Sequence, residues 1–300
     1  MKKMSLNLTL TPDRKAKLFI GFLRFCSWLP LPVAHLLGAI MGILYFPFAK
    51  RDKHIIRTNL TIAFPQYYAM ARWWIKFRFF IHRGKTFTEL GASWLWEKDR
   101  LLPLVKEVRG QAYLDDALAQ GKGAMLLCPH WGAWELMGVY WSALYGITNL
   151  YQPPDYPEIA DFIKHSRERM GANLVPTDVS GVRALLSALK QNQLIGILPD
   201  QDPGETGGIF APFFGKPANT IVLVGKLLKR SQSPVLFTVC ERLSWGRGYR
   251  VHIIPASSDI NHEDQLVSAT ALNQGVEACV QLNPEQYVWN YKRWKRQPTC

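Results

Sequence analysis

From Phe25 to Ala49 the chain carries no Asp, Glu, Lys or Arg. A bilayer span needs about 20 consecutive apolar residues, so the stretch is long enough to cross a membrane. Pro30, Pro32, Pro47 and His35 interrupt it, and an internal proline breaks or kinks a helix. It reads first as a single spanning anchor, then as a broken helix lying in one leaflet, then as a buried helix pair. A cleavable signal peptide is disfavoured by the length and by the lack of a small-x-small site after it. Basic residues flank both ends, with Lys2, Lys3, Arg14, Lys15 and Lys17 before and Lys50, Arg51, Lys53 and Arg57 after. The positive-inside rule therefore sets no orientation.

The membrane theme continues over residues 66–97. On a helical wheel Arg72, Lys76 and Arg83 fall close together, while Trp73, Phe77, Phe80 and Ile81 gather on the other side. A basic edge beside an aromatic face is the pattern of an interfacial helix. A core-facing helix with a solvated basic face fits the same residues. The whole chain has a formal charge of +13 and 12% aromatic residues, which suits an anionic lipid surface, an acidic protein or nucleic acid. Nucleic acid is disfavoured, because the basic residues alternate with apolar runs and no helix-turn-helix, RNP or zinc pattern occurs. The five cysteines (Cys26, Cys128, Cys240, Cys279 and Cys300) are odd in number and never spaced CxxC. Neither a disulfide framework nor a zinc site is expected, and a reducing compartment fits.

From about residue 105 short apolar runs alternate with amphipathic stretches. Strands are expected over 123–128, 147–151, 172–175, 194–198, 235–240 and 249–254, and helices over 111–120, 132–144, 156–170, 179–191, 218–230 and 262–282. Such alternation predicts an α/β fold with a largely parallel central sheet flanked by helices, preceded by an N-terminal membrane-anchoring helical segment. The expected divisions are 1–50 for the anchor and its basic flanks, 51–104 for a helical interfacial region, and 105–300 for the α/β core.

Chemistry concentrates at strand ends, where open α/β sheets gather their ligands. The segment GAMLLCPHWGAWELMG runs from a strand through Pro129 and His130 into a helix carrying Glu135. Residues five apart on one continuous helix diverge by about 140°. His130 must therefore precede the helix and fold back if Glu135 is to accept a hydrogen bond from one ring nitrogen, leaving the other free as a base. The same residues also suit a plain helix cap. Cys128 faces the core on this reading and is not the nucleophile. A second strand end reads PDQDPG, where Asp200 and Asp202 are candidates to orient a cation, bind a sugar hydroxyl or end the strand. Phe210, Phe213 and Phe214 follow, suggesting apolar surface beside the acids. Two acids without His or Cys nearby make a poor metal site, so no metal is expected. Arg167 and Arg169, beside Lys164 and His165, suit a phosphate or simply a helix C-terminus. Lys292, Arg293, Lys295 and Arg296 among Trp289, Tyr291 and Trp294 suggest a solvated tail, a membrane patch or a carrier-protein contact.

Taken in order, the apolar anchor, Phe64–Pro65, PHWGAWE at 129–135, the Arg block ending at Gly171, PDQDPG at 199–204 and APFFGKPANT at 211–220 resemble the bacterial lipid A biosynthesis late acyltransferases. These lauroyl and myristoyl transferases belong to the lysophospholipid acyltransferase superfamily, and the resemblance covers nearly the whole chain. It implies transfer of a fatty acyl chain from acyl carrier protein to a hydroxyl of Kdo2-lipid IV(A) or its acylated product, with no cofactor besides that thioester co-substrate. It further implies His130 as general base, Glu135 as its partner, Arg167 as an active-site cation, and an active site at the cytoplasmic face of the inner membrane. PDQD, where glycerolipid branches carry a Pro-Glu-Gly-Thr type motif, favours the lipid A branch. Asn290 departs from the pattern, standing where a basic residue or His is expected. The alternatives are an acyltransferase acting on a glycerolipid or a glycosylated phosphatidylinositol, and a non-catalytic basic lipid-binding protein.

Overall fold

A computed structural model describes residues 12–154 and 156–298. Lys2, Lys3 and Cys300 lie outside the described residues. Four helices come first: α1 (Pro12–Trp28), α2 (Leu31–Tyr45), α3 (Lys50–Ala63) and α4 (Ala69–Leu95). After the short α5 (Lys98–Leu101) the order is β1 (Val105–Arg109), α6 (Gln111–Ala119), β2 (Ala124–Leu127), α7 (Trp134–Tyr145), β3 (Ile147–Leu150), α8 (Pro157–Glu168), β4 (Ala172–Val175), α9 (Val179–Lys190) and β5 (Leu194–Ile197). The chain then forms β6 (Gly208–Phe213), β7 (Lys216–Ile221), α10 (Leu223–Ser231), β8 (Val235–Arg242), β9 (Tyr249–Pro255) and α11 (Gln265–Leu282).

The expected sheet is present, with seven strands in the order β1-β9-β8-β2-β5-β3-β4. Every neighbouring pair is parallel except β8–β9. β2 (AMLL) and β5 (LIGI) are buried along their whole length, as central strands covered on both faces must be. β1, without a strong apolar run, is a strand that its sequence does not announce. The helix expected over 218–230 begins only at Leu223, because residues 208–221 fold into the antiparallel β6–β7 hairpin. Phe213 is buried there, stacked on Trp294 with Phe214 beside it. The apolar surface expected next to the acids is core at that position.

The N-terminal segment is not one helix. It breaks at Pro30, whose φ of −57° and ψ of 145° are extended rather than helical, and again at the Phe46–Phe48 turn. Among the described residues no single helix is long and apolar enough to cross a membrane; α2 and α3 pass that test only together, across a 96° bend. α2 packs on α4 through glycines. A Cβ on Gly38 would lie 2.6 Å from the Gly84 carbonyl oxygen, and one on Gly42 would lie 2.1 Å from that of Phe80. Small residues four apart let two helix backbones touch. On its other side α2 leaves Val33, Leu36, Ile40 and Leu44 exposed.

Two of the three residues of the expected basic edge of α4 are engaged within the protein. Arg72 donates to the Phe64 carbonyl at 3.1 Å and Arg83 lies 3.5 Å from Asp52, tying α4 to α3. Its aromatic side meets Phe46, which contacts Trp73, Phe77 and Phe80 edge-on. Ile56, Leu60, Phe79 and Phe80 share one buried cluster with Leu127, Ile195 and Phe237 of the sheet. The helical layer and the α/β core are thus continuous in their packing.

Candidate active site

The centre of the site follows from strand register. β2 and β5 are parallel neighbours in which Leu127 faces Ile197. Each strand runs on through a proline two residues later (Pro129 and Pro199), and the third residue beyond each paired position is His130 or Asp200. Two parallel chains leaving a sheet in step keep their side chains side by side. His130 Nδ1 lies 2.8 Å from Asp200 Oδ1, and the His130 amide donates to Asp200 Oδ2 at 2.9 Å.

Asp200, not Glu135, is therefore the partner of His130. Glu135 sits in the first turn of α7 and points elsewhere: Arg167 donates to Oε1 at 2.6 Å and to Oε2 at 3.2 Å, and Trp94 Nε1 donates to Oε2 at 3.1 Å. The expectation that Glu135 orients the imidazole fails because α7 opens four residues after His130 and carries Glu135 away toward α8. The expectation that Asp200 binds substrate is replaced by its contact with His130.

The electrostatics of this pair suit a base. Burial alone would lower the His130 pKa, but the Asp200 carboxylate outweighs it and holds the imidazole above its ordinary value. Burial would likewise raise Asp200, and His130 together with its amide N–H keeps it below the usual carboxylate range. A carboxylate on Nδ1 makes that nitrogen the N–H donor, leaving the Nε2 lone pair facing Gln201, whose Nε2 lies 3.2 Å away. Burial pushes the Cys128 thiol far up, so it carries no thiolate for attack.

The turn bearing His130 is held from beneath. Gly132 has φ of +59°, and a Cβ there would lie 2.0 Å from the Cys240 carbonyl oxygen. Only glycine satisfies both demands, which explains the HWG sequence. Gly132 N donates to Gln286 O, Ala133 N to Cys240 O and Val288 N to His130 O. Below lies a charged group that the sequence reading missed. Arg242 is buried, pairs with Glu89 of α4 through Nε and Nη2, and donates to the Gly132 carbonyl at 2.6 Å and to Thr86. Burial alone would raise Glu89; Arg242 and His35 outweigh it and hold the carboxyl at about 2. The available signal was that Glu89 is the one acid in α4.

Two cavities meet at the site. One, of about 310 Å³, is lined by His130, Gln201, Phe79, Leu90, Trp134 and Glu135, with Asn290 at its edge. The other is an apolar slot between α7 and the sheet, lined by Leu126, Met137, Trp141, Ile147, Leu174 and Ile197. Trp134 and Glu135 border both, and Arg167 lines the slot. Arg169 takes no part: its guanidinium donates to the Trp94 and Trp96 carbonyls at the end of α4 and lies 3.5 Å from Glu97. Asp202 is also structural. Its Oδ1 accepts from Gly204 N and Asn219, while Lys295 and Arg296 lie 3.7 and 3.4 Å from Oδ2. Those contacts, with buried Arg293 donating to Asn219 O, fold the basic C-terminal segment against the core. Among the described residues no three His, Cys, Asp or Glu side chains come together as a metal-ligand set.

A carboxylate-oriented imidazole on strand ends of a parallel sheet, in a cavity that shares Trp134 and Glu135 with an apolar slot, defines a site that can deprotonate a hydroxyl beside an apolar group; the chain is an acyltransferase. More particularly, the sequence profile of the bacterial lipid A biosynthesis acyltransferases matches residues 2–296, and the chain belongs to that family. It is 29% identical over 280 residues to the lipid A biosynthesis lauroyltransferase of Escherichia coli K12, covering 93% of this chain and 90% of that one. It is 30% identical over the same length to the palmitoleoyltransferase of that organism, with the same coverage. A phosphatidylinositol mannoside acyltransferase of Mycobacterium tuberculosis is 30% identical over 161 residues, spanning 51% of this chain and 49% of the relative.

Proposed function

We propose that the chain transfers a fatty acyl group from an acyl-carrier-protein thioester to a hydroxyl of Kdo2-lipid IV(A) or its acylated product, at the cytoplasmic face of the inner membrane. The observation that carries this reading is the His130–Asp200 pair, with His130 lining a cavity that shares Trp134 and Glu135 with an adjoining apolar slot. His130 Nε2 takes the proton of the acceptor hydroxyl as its oxygen attacks the thioester carbonyl. Asp200 stabilises the imidazolium that forms. The carbon–oxygen bond forms, the carbon–sulfur bond breaks, and the proton held on His130 passes to the departing thiolate. No protein nucleophile is needed.

The apolar slot takes the acyl chain, since each methylene it buries contributes about 0.8 kcal/mol. The Arg167–Glu135 pair stands where the slot meets the His130 cavity and fixes the cation near the thioester, where charge develops on the carbonyl oxygen. A net positive chain suits an acidic carrier protein, and the exposed apolar side of α2 suits the membrane interface.

The test is transfer of labelled lauroyl and myristoyl groups from acyl carrier protein to Kdo2-lipid IV(A) by detergent-solubilised wild type and His130→Ala. Wild-type transfer that is lost in the variant supports donor, acceptor and base together. Equal rates in both would remove His130 from the mechanism. Wild-type transfer to a mannosylated phosphatidylinositol but not to Kdo2-lipid IV(A) would favour the acceptor class named by the mycobacterial relative.

A further inference from the structure

Beside the catalytic cavity lies a larger open groove of about 830 Å³, between α2, α4 and the turn joining β8 to β9. Its charge is one-sided. Arg78, Lys85, Arg242, Arg247 and Arg250 line it, and Glu241 is the one lining carboxylate. Arg242 is committed to Glu89, Arg250 to Glu107 and Glu241, and Arg78 to Glu285. Lys85 and Arg247 are different: among the described residues neither has a carboxylate within 4 Å. Arg247 bonds only the nearby Ser244 carbonyl. Lys85 is half-buried, and burial together with Arg242 lowers its pKa despite the opposing charge of Glu89, which is itself paired with Arg242.

The uncharged lining points the same way. His82 borders both the groove and the His130 cavity, is 8% exposed, and leaves its Nδ1 without a hydrogen-bond partner. Arg242 and Gln286 also border both. The groove's outer rim is apolar: Val33 and Leu36 of α2 are exposed, and Trp245 at the tip of the β8–β9 turn is 87% exposed. A ligand that fits this arrangement has an anionic headgroup, apolar chains beside it, and a reach into the catalytic cavity.

We propose that the groove recognises a phosphate on the headgroup of the acceptor lipid, with Lys85 and Arg247 as its cationic donors. Arg presents a fork to phosphate oxygens and Lys a point charge. The lipid's chains lie against α2 and Trp245, and its sugar hydroxyl passes His82 to reach His130. The inference rests on the proposed transfer to a glycolipid acceptor and adds to it a location for the acceptor's charge, on the α2 side of the site and away from the acyl slot.

The test uses full-length enzyme in mixed micelles with two acceptors, the phosphorylated glycolipid and the same glycolipid stripped of phosphate. Lys85→Gln and Arg247→Gln are compared with wild type, with thermal unfolding to confirm folding. Each substitution is expected to raise KM for the phosphorylated acceptor about tenfold, as loss of one charge-assisted hydrogen bond does. That rise should exceed the change for the stripped acceptor by a similar factor, with the loss in KM rather than kcat. Equal losses on both acceptors, or none on either, would overturn the site. If wild type transfers acyl groups to neither acceptor, the proposed glycolipid acceptor fails separately. Binding to phosphatidic acid vesicles against phosphatidylcholine vesicles then decides the groove, with loss of the preference in Lys85→Gln/Arg247→Gln expected and its retention contrary. Wild type protected by inorganic phosphate but indifferent to phosphatidic acid would reassign the groove to a free anion and overturn the lipid assignment.

Discussion

Two carboxylates, each paired with a basic side chain, stand close together in this molecule and do different work. Asp200 meets His130, a group that can gain and lose a proton near neutrality. Glu135 meets Arg167, a group that stays charged at any working pH. Both pairs lie at the C-terminal end of the sheet, and either acid alone reads as a catalytic carboxylate. What separates them is the partner: a carboxylate on an imidazole tunes a base, whereas a carboxylate on a guanidinium fixes a cation. The partner is set in turn by whether the acid follows a neighbouring strand, as Asp200 does, or rides on a helix, as Glu135 does.

The sharpest break in that contrast is Asp200→Asn. General-base steps contribute about 10²- to 10⁴-fold, and kcat is expected to fall within that range. The pH profile should move with it. His130 must be neutral to act, so the rate rises with pH through a pKa that Asp200 holds above its ordinary value. Removing that charge lowers the pKa, and the acidic limb of kcat/KM shifts to lower pH. A limb that stays in place while activity is lost would mean that Asp200 orients the ring without tuning it.

The buried Glu89–Arg242 pair supplies the next largest effect, on folding rather than turnover. Breaking a buried pair by removing one partner costs about 3–5 kcal/mol, so Glu89→Gln is expected to unfold earlier in denaturant by that amount. A loss below about 1 kcal/mol would show that the pair is not needed to hold the His130 turn.

Glu135→Gln should cost less than Asp200→Asn. Losing charge-assisted hydrogen bonds of this kind is worth about 1.5–3 kcal/mol, or roughly ten- to a hundredfold in kcat/KM. Its acidic limb should move less than that of Asp200→Asn, because Asp200 is the larger influence on His130. If Glu135→Gln moved the limb further, the assignment of the two acids would be reversed. The smallest effect probes the slot. Gly138 lies on α7 and lines it, and a Cβ there meets nothing within 4 Å. Gly138→Leu should fold normally and disfavour long acyl donors by about fourfold for each methylene that no longer fits, measured by competition between donors of different length.

Much of this is readable from residues alone, and most of the misses are contacts between segments far apart in sequence. The strands at 123–128 and 194–198 were legible as apolar runs ending at prolines, and His130 and Asp200 both stood out at their ends. Their pairing was not, because adjacency of β2 and β5 is a property of strand order, with α7, β3, α8, β4 and α9 between them in sequence. Local spacing favoured Glu135 for the same reason that it misled: five residues are close in sequence whatever the helix does. Arg169 suits a phosphate or the end of its own helix by residue type and position, yet it binds the Trp94 and Trp96 carbonyls at the end of α4, a contact across some 75 residues. The β6–β7 hairpin was hidden by its small and proline-rich sequence, which lacks a clear alternation. Glu89 looked like an unremarked acid on an interfacial helix until the fold brought β8 beneath it.

The Glu89–Arg242 contact also bears on how the enzyme can be handled. Residues 12–95 look like an appendage whose removal would leave a tractable catalytic domain. Cutting before residue 105 would take Glu89 away with α4 and strand the Arg242 guanidinium, uncompensated, directly under the Gly132 carbonyl. It would also uncover the sheet face that Phe79 and Phe80 now cover. The helical layer is part of the catalytic floor, and solubility has to be sought by redesigning the outward-facing side chains of α2 while keeping its glycines and all of α4.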